Sequence, residues 1–284
     1  MQSSNELVSI YIPTRDRIDL LRRAVKSCVV QDYPHLEIII SDDGSAAEHR
    51  QQLTELAALD PRIQIISSDT PQGACAARNK AIAAAKGYFI TGLDDDDEFM
   101  PNRISCFIRS WQQTAGKAAF LCANSEVIIT GGLRLKQKKR PQAITLNQLL
   151  HANIIGNQLF TKTEYLRAIG GFDEQLSARQ DYETWLRLAE RFGDGQRIPD
   201  VTYLVHQDHR YERISNSSRR IQGYDYVFSK HKHLMNDSQK QSHLFYRRLY
   251  TENPSLLPLL AKTPLRLWPV AIKVISLRML GYKV

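Results

Sequence analysis

Residues 94–98 read DDDDE and follow directly on the apolar stretch GYFITGL. Adjacent carboxylates repel. Two unit charges about 4 Å apart cost about 1 kcal/mol in water, and more where the dielectric is lower. A bound cation turns that repulsion into attraction. Aspartate oxygens in a turn are hard ligands suited to Mg²⁺ or Mn²⁺, which take one or two carboxylates together with phosphate oxygens and water. Taken alone, an acidic run is more often a solvated loop. Two further stretches fit a nucleotide diphosphate. Asp42 and Asp43, in DDGS, can accept a hydrogen bond from a base imide or a ribose hydroxyl, although Asp-Gly by itself reads as a plain turn. Arg78 lies near the start of an alanine-rich helix, where a cation and free backbone N–H groups can face phosphate. The competing reading of Arg78 is a surface arginine.

The elements around these residues place them together. LVSIYI (7–12), LEIIIS (36–41), IQIIS (63–67) and GYFITGL (87–93) read as strands, rich in β-branched residues. Helices are expected between them over 17–31, about 46–59 and 73–86, the first from Leu20, Leu21, Ala24, Val25, Cys28 and Val29 at helical spacing. Alternating strands and helices imply a parallel sheet with helices on both faces. Ligands of such sheets bind beyond the carboxyl ends of the strands. PTRDR, DDGS, PQGACAARN and DDDDE each follow a strand, so all four gather on one edge although about 80 residues of sequence separate them.

The chain of 284 residues, 43% hydrophobic and 24% charged, is long enough for one large domain or two small ones and shows no disorder or repeat. Its net charge of +8 suits phosphorylated ligands, anionic membrane or nucleic acid without choosing among them. Five of the bases cluster in RLKQKKR (134–140). Cys28, Cys75, Cys106 and Cys122 lack CxxC spacing and sit in apolar surroundings, which predicts buried free thiols in a reducing cytoplasm. No signal peptide and no apolar run of membrane-spanning length are recognisable.

VSIYIPTRDR, YPHLEIIISDDGS, GACAARNKAIAAAKGYFITGLDDDDEFMPNRI and GGFDEQLSARQDYETWLRL together resemble the inverting nucleotide-sugar glycosyltransferases of family 2, over about residues 7–190. The resemblance implies an α/β GT-A fold: a Rossmann-like, mostly parallel sheet with helices on both faces, plus a C-terminal helical extension. It divides the chain into a catalytic domain over 1–205, with a nucleotide-binding half (1–100) and an acceptor-binding half (101–205), and an extension over 206–284. It implies that Pro13, Thr14 and Arg15 line the nucleotide, that Asp43 reads uracil with Asp42 beside it, and that Arg78 and Asn79 lie along the donor. Within Asp94–Asp97, Asp96 becomes the metal ligand; Asp94 is a second ligand or, like Asp95, a contact to ribose or sugar. The catalytic base becomes Asp181, preceded by Gln180 where the family usually has glutamate, with Glu183 as second choice. The macrodipole alone would also favour an acid at that helix start. Gly156 and Asn157 fall on the acceptor side, and His206 near the metal or diphosphate.

The activity so implied is transfer of a hexose or N-acetylhexosamine from a UDP-sugar, with Mn²⁺ or Mg²⁺, to a glycan or lipid-linked glycan at the cytoplasmic face of a bacterial inner membrane. EVIITGGLRLKQ (126–137) reads as a hairpin, a solvated one or a flap over the acceptor or lipid head groups. The C-terminal PLRLWPVAIKVISLRMLGYKV suits either an interfacial helix from about 269 or a helix packed on the protein. Two other functions compete. A nucleotidyltransferase on a similar sheet would be expected to show a glycine-rich phosphate loop. A basic nucleic-acid module would leave the acids without a role.

Overall fold

The computed structural model describes residues 5–129, 131–136, 141–156, 158–207, 217–251, 255–261 and 263–279. The chain divides into two compact units, Met1–Leu146 with Ile154–Glu212, and Asn147–Asn153 with Arg213–Val284.

The first unit opens with the expected alternation: β1 (Val8–Thr14), α1 (Ile18–Val29), β2 (Leu36–Asp42), α2 (Ala47–Ala57), β3 (Ile63–Ser67), α3 (Ala74–Ala84) and β4 (Phe89–Gly92). Then follow β5 (Glu98–Phe99), α4 (Arg103–Gln113), β6 (Phe120–Ile129), β7 (Leu133–Lys136), β8 (Ala143–Ile144), a short α5 (Leu146–Leu149) whose last three residues belong to the second unit, β9 (Phe160–Lys162), α6 (Thr163–Ala168), α7 (Gln180–Phe192) and β10 (Gly195–His206). The sheet runs β3-β2-β1-β4-β9-β6-β10-β5, with β7 on β6 and β8 on β10. The long strands are parallel, and β9 enters between β4 and β6 antiparallel to both. This is an α/β, mostly parallel sheet. Its strand order reverses at β1, which pairs with β2 on one side and β4 on the other. Such a reversal opens a crevice at the carboxyl ends of the strands.

One core layer joins Val8, Ile10 and Ile12 to Leu21, Val25 and Cys28 of α1 and Phe107 and Trp111 of α4. Strand side chains alternate between faces, so Tyr11 and Ile39 point the other way, and α3 packs on β1 and β2. β1 runs two residues further than the sequence reading, through Pro13 and Thr14. Beyond Tyr11 it pairs only with β2. Proline lacks an N–H, which costs nothing on an unpaired side. All four cysteines are free and buried.

The hairpin expected over EVIITGGLRLKQ (126–137) forms, with β6 and β7 paired antiparallel from Glu126↔Lys136 to Ile129↔Leu133. Residues 137–140 of the basic cluster lie outside the described residues, as does Asn157.

The second unit holds α8 (Ser217–His231), α9 (Asp237–Thr251), α10 (Leu256–Ala261) and α11 (Trp268–Met279). Ala271, Val274 and Ile275 form one face of α11 and join Phe245, Leu249 and Leu259 in a small core. Ile272 on the opposite face is 44% exposed. The helix expected from about 269 is therefore packed on its neighbours along one face. No helix among the described residues is long and apolar enough to cross a membrane.

Candidate active site

Four loops meet at the crevice. Asp16 adopts a left-handed backbone, φ 52°, which aspartate tolerates. Its carboxylate accepts from Ala46 N at 2.8 Å and its own N–H donates to Ser45 Oγ at 2.9 Å, so the first loop is tied to the second. Gly44, φ +75°, lets the second loop pack backbone to backbone on the third: a Cβ there would sit 2.7 Å from Pro71 N. That approach brings Asp43 to the start of α3. Its two oxygens accept from Gln72 N at 2.7 Å and Gly73 N at 2.8 Å.

Asp43 is thus a clamp on the loop that begins α3, which the sequence did not reveal. Each carboxylate oxygen accepts more than one hydrogen bond, so a base imide can still be received. Asp42 is fully buried; Oδ1 accepts from Ser45 N at 3.1 Å, and Oδ2 has no hydrogen-bond partner.

The acid cluster divides by side-chain direction. Asp95 is 1% exposed and accepts from Thr14 Oγ1 at 2.8 Å and from Arg17. Burial pushes its carboxyl up to about 7, against the opposing charge of Arg17. Asp97 is equally buried, accepts from His206 N at 2.9 Å, and is held well above the usual carboxylate range by burial and by Asp94 and Asp96. Asp94 Oδ1 receives Arg78 Nη2 and Gln158 Nε2, each at 3.1 Å. Asp96 lies 3.4 Å from Arg17 Nη1, its side chain 15% exposed. Asp94 and Asp96, the more open of the four, are the pair that can present oxygens outward.

Arg78 is not a surface arginine. It is 7% exposed, and its guanidinium carbon lies 5.2 Å from the Phe172 ring centre. Its Nε and Nη1 are buried with no hydrogen-bond partner. Unpartnered buried donors are costly, and an anionic ligand would satisfy them. Asn79, in contrast, is committed to the chain: it donates to Phe172 O at 2.8 Å and Glu174 Oε1 at 2.9 Å and accepts from Phe172 N at 2.7 Å. Arg15 points away, 52% exposed, against Asp16. Pro13 is buried at the end of β1.

Asp181 stands in the first turn of α7, partly buried. Burial, with the charge of Asp94, raises its carboxyl to about 7 against the pull of Arg78 and Arg179. Asp181, Arg78 and Asp94 therefore form one electrostatic group, although the sequence separates them by about 100 residues. The residue before α7, Arg179, is left-handed at φ 62°. For a bulky side chain that conformation is strained, and such strain concentrates at functional sites. Glu183 is different: it is fully buried and forked by Arg187 at 2.7–2.9 Å. It holds α7 to the 169–171 segment through Arg187, which also donates to Gly171 O at 2.7 Å.

His206 Nε2 lies 2.7 Å from Glu98 Oε1. To reach an ion it would have to leave that partner. Gly156, φ +107°, accepts from Trp185 Nε1 at 3.1 Å and so belongs to the wall beside α7. Two residues were missed in the sequence. Arg17 was within the quoted PTRDR, two places beyond those singled out. Gln158 stands next to Asn157 and is oriented by Tyr11, whose hydroxyl donates to its Oε1 at 3.0 Å.

The profile of the family described as Glycosyl transferase family 2 matches residues 9–169. The chain belongs to this family. Among its relatives is WcaA of Escherichia coli K12, whose name assigns it to colanic acid biosynthesis as a glycosyl transferase. The two are 38% identical over 246 residues, 85% of this chain and 87% of WcaA. Two solved structures show the GT-A-like fold. Residues 1–349 of Staphylococcus aureus TarS, in complex with UDP-GlcNAc, align with a TM-score of 0.66 at 17% identity, over 94% of this chain and 79% of that one. The mannosyltransferase PcManGT of Pyrobaculum calidifontis, in complex with GDP-Man and Mn²⁺, aligns with a TM-score of 0.59 at 17% identity, over 99% and 77%. As a family 2 glycosyltransferase the chain is an enzyme, and the nucleic-acid module is set aside.

Proposed function

We propose that this enzyme transfers a hexose or N-acetylhexosamine from a UDP-sugar to a glycan hydroxyl with inversion, in the assembly of a bacterial surface polysaccharide. The observation that carries the reading is the buried Arg78, with two unsatisfied donors, bonded to Asp94 and close enough for its charge to act on Asp181. An anion at Arg78 and a base beside it are what such a transfer requires. The WcaA and TarS relationships support a polysaccharide product and a UDP-linked donor.

In this reading Asp43 receives the uracil imide, and Thr14 and Asp95 set the floor beneath the diphosphate. Asp94 and Asp96 would hold Mn²⁺ or Mg²⁺. The donor set fits, since such ions take one or two carboxylates and fill their other positions from phosphate and water. Among the described residues no three acidic, histidine or cysteine side chains are grouped to hold an ion by themselves, so substrate phosphate would have to complete the site. When bound, the ion supplies positive charge at the departing diphosphate. Arg78 adds a fixed cation on the same group. Asp181 takes the proton of the acceptor hydroxyl as its oxygen attacks the anomeric carbon from the opposite face. One displacement turns an α-linked donor into a β-glycoside.

Calorimetric titration of UDP in the presence and absence of Mn²⁺ tests this. Saturable binding that needs the ion is expected, together with loss of transfer in excess EDTA. Full activity in EDTA would remove the metal from the reading.

A second result follows from the clamp. The sequence alone suggests that Asp43→Ala would leave the fold intact. With both oxygens on backbone N–H groups, alanine would also release the loop before α3. Asp43→Asn keeps one acceptor. It should weaken UDP binding at least tenfold and lower stability by about 1–3 kcal/mol, the cost of an unsatisfied buried group. UDP affinity and the thermal midpoint measure the two effects separately. Unchanged UDP affinity would refute the uracil contact.

A further inference from the structure

An open cavity of about 770 Å³, lined by both charged and apolar side chains, lies beside the acid turn along α1. Arg22, Arg23, Lys26 and Arg134 line it, against Asp19 and Glu98. Asp19, Arg22, Arg23 and Lys26 follow at i, i+3, i+4 and i+7, so they form one stripe along the helix. Arg134 reaches the same cavity from the β6–β7 hairpin, the described end of the basic cluster that the donor site leaves unused.

Two of these cations are already spoken for. Arg23 donates to Asp96 O and lies 3.5 Å from Glu98, and Arg134 is 3.9 Å from Glu126. Arg22 and Lys26 have no partner among the described residues. They stand four residues apart on one face, where like charges repel. The C-terminal dipole of α1 accounts for Lys26 but not for Arg22.

The cavity walls are tied to one another: Phe99 N donates to the buried Ser27 Oγ at 3.0 Å, Gln31 Nε2 to Met100 O at 2.9 Å, and Asp32 N to Pro101 O at 3.0 Å. Its remaining lining includes Val30, Met100 and Leu204, and Val30 is 61% exposed. A groove with unpaired cations beside aliphatic surface matches an anion joined to an apolar chain. Asp96 and Glu98 are two residues apart, so the groove lies within about 8 Å of the acid turn by chain length.

We propose that this groove binds a phosphate ester carrying an apolar chain. Resting on the transferase reading above, that phosphate belongs to the sugar acceptor. Arg23 would join the two sites, since it touches both Asp96 and the groove.

The probe is monomeric dodecyl phosphate, titrated into the full chain saturated with UDP and Mn²⁺. Dodecyl maltoside, inorganic pyrophosphate and phosphatidylglycerol vesicles serve as comparisons. Saturable one-to-one binding is expected for dodecyl phosphate, at least tenfold tighter than for the maltoside or for pyrophosphate. Arg22→Ala/Lys26→Ala should weaken it tenfold or more with UDP affinity unchanged, and Arg134→Ala should weaken it independently. Alanine on an open helix face favours the helix, so these chains should fold. Equal binding of the maltoside, or undiminished binding by the variants, would overturn the proposal. So would binding to vesicles alone, which would mark a diffuse surface attraction. The UDP titration in the same samples reads the donor site separately: if UDP fails to bind while dodecyl phosphate binds, the groove stands and the donor reading falls.

Discussion

Asp181→Asn is expected to lower kcat by about 10²–10⁴-fold, or about 3–5 kcal/mol of barrier, the usual contribution of a general base. The substitution keeps size and shape and removes the basic lone pair. Donor affinity should barely change, because in the proposed reaction this carboxylate faces the acceptor. The pH profile gives the claim a second edge. Burial raises the Asp181 carboxyl to about 7. The base must be ionised, so kcat/KM of the wild type should rise with pH through about 7 and level off above it, and the variant should lose that limb. The sign for stability is opposite. A raised carboxyl binds its proton more tightly folded than unfolded, so Asp181 favours the fold below the ordinary carboxylate range and loses that contribution as pH rises through about 7. Asp181→Asn should therefore flatten the stability profile in that window. Glu183→Gln is the control. It should leave the limb in place and lower the thermal midpoint instead, since it disturbs a buried pair with Arg187. A retained limb in Asp181→Asn would give the proton to another group.

Arg78→Lys should cost UDP affinity by about 30-fold or more, within the 2–5 kcal/mol seen when a buried, hydrogen-bonded charge contact is broken. Lysine keeps the charge and loses the planar fork, so it cannot hold Asp94 and a phosphate together. In the wild type the Arg78 guanidinium pulls the Asp181 carboxyl down. A displaced charge weakens that pull, and the acid limb should move to higher pH. Calorimetry with UDP and the kcat/KM profile read the two consequences. Loss of affinity without movement of the limb would separate Arg78 from the base, and unchanged affinity would place the diphosphate elsewhere.

The local pattern determined much of this enzyme. The strands Val8–Thr14 and Leu36–Asp42 are fully buried along their length and read as apolar runs. Helix α1 alternates its apolar face at helical spacing, and the turn residues stand where the chain reverses. These signals act over a few residues, so one sequence carries them. The gathering of four loops on one edge follows from the alternation of elements alone.

What needed the tertiary structure is how each acid is spent. Five carboxylates in a row look equivalent in sequence. Only the packed chain turns Asp95 and Asp97 inward, to Arg17 and to the His206 backbone, and leaves Asp94 and Asp96 the more open. The same holds for α7, where two acids two residues apart diverge around the helix: the buried Glu183 pairs with Arg187, and Asp181 comes under the charge of Arg78. Gln158 and Arg17 entered the site for the same reason. Their partners, Asp94 and Asp95, lie 64 and 78 residues away. Side-chain fate at a strand end depends on which distant element closes over it, and no local spacing encodes that.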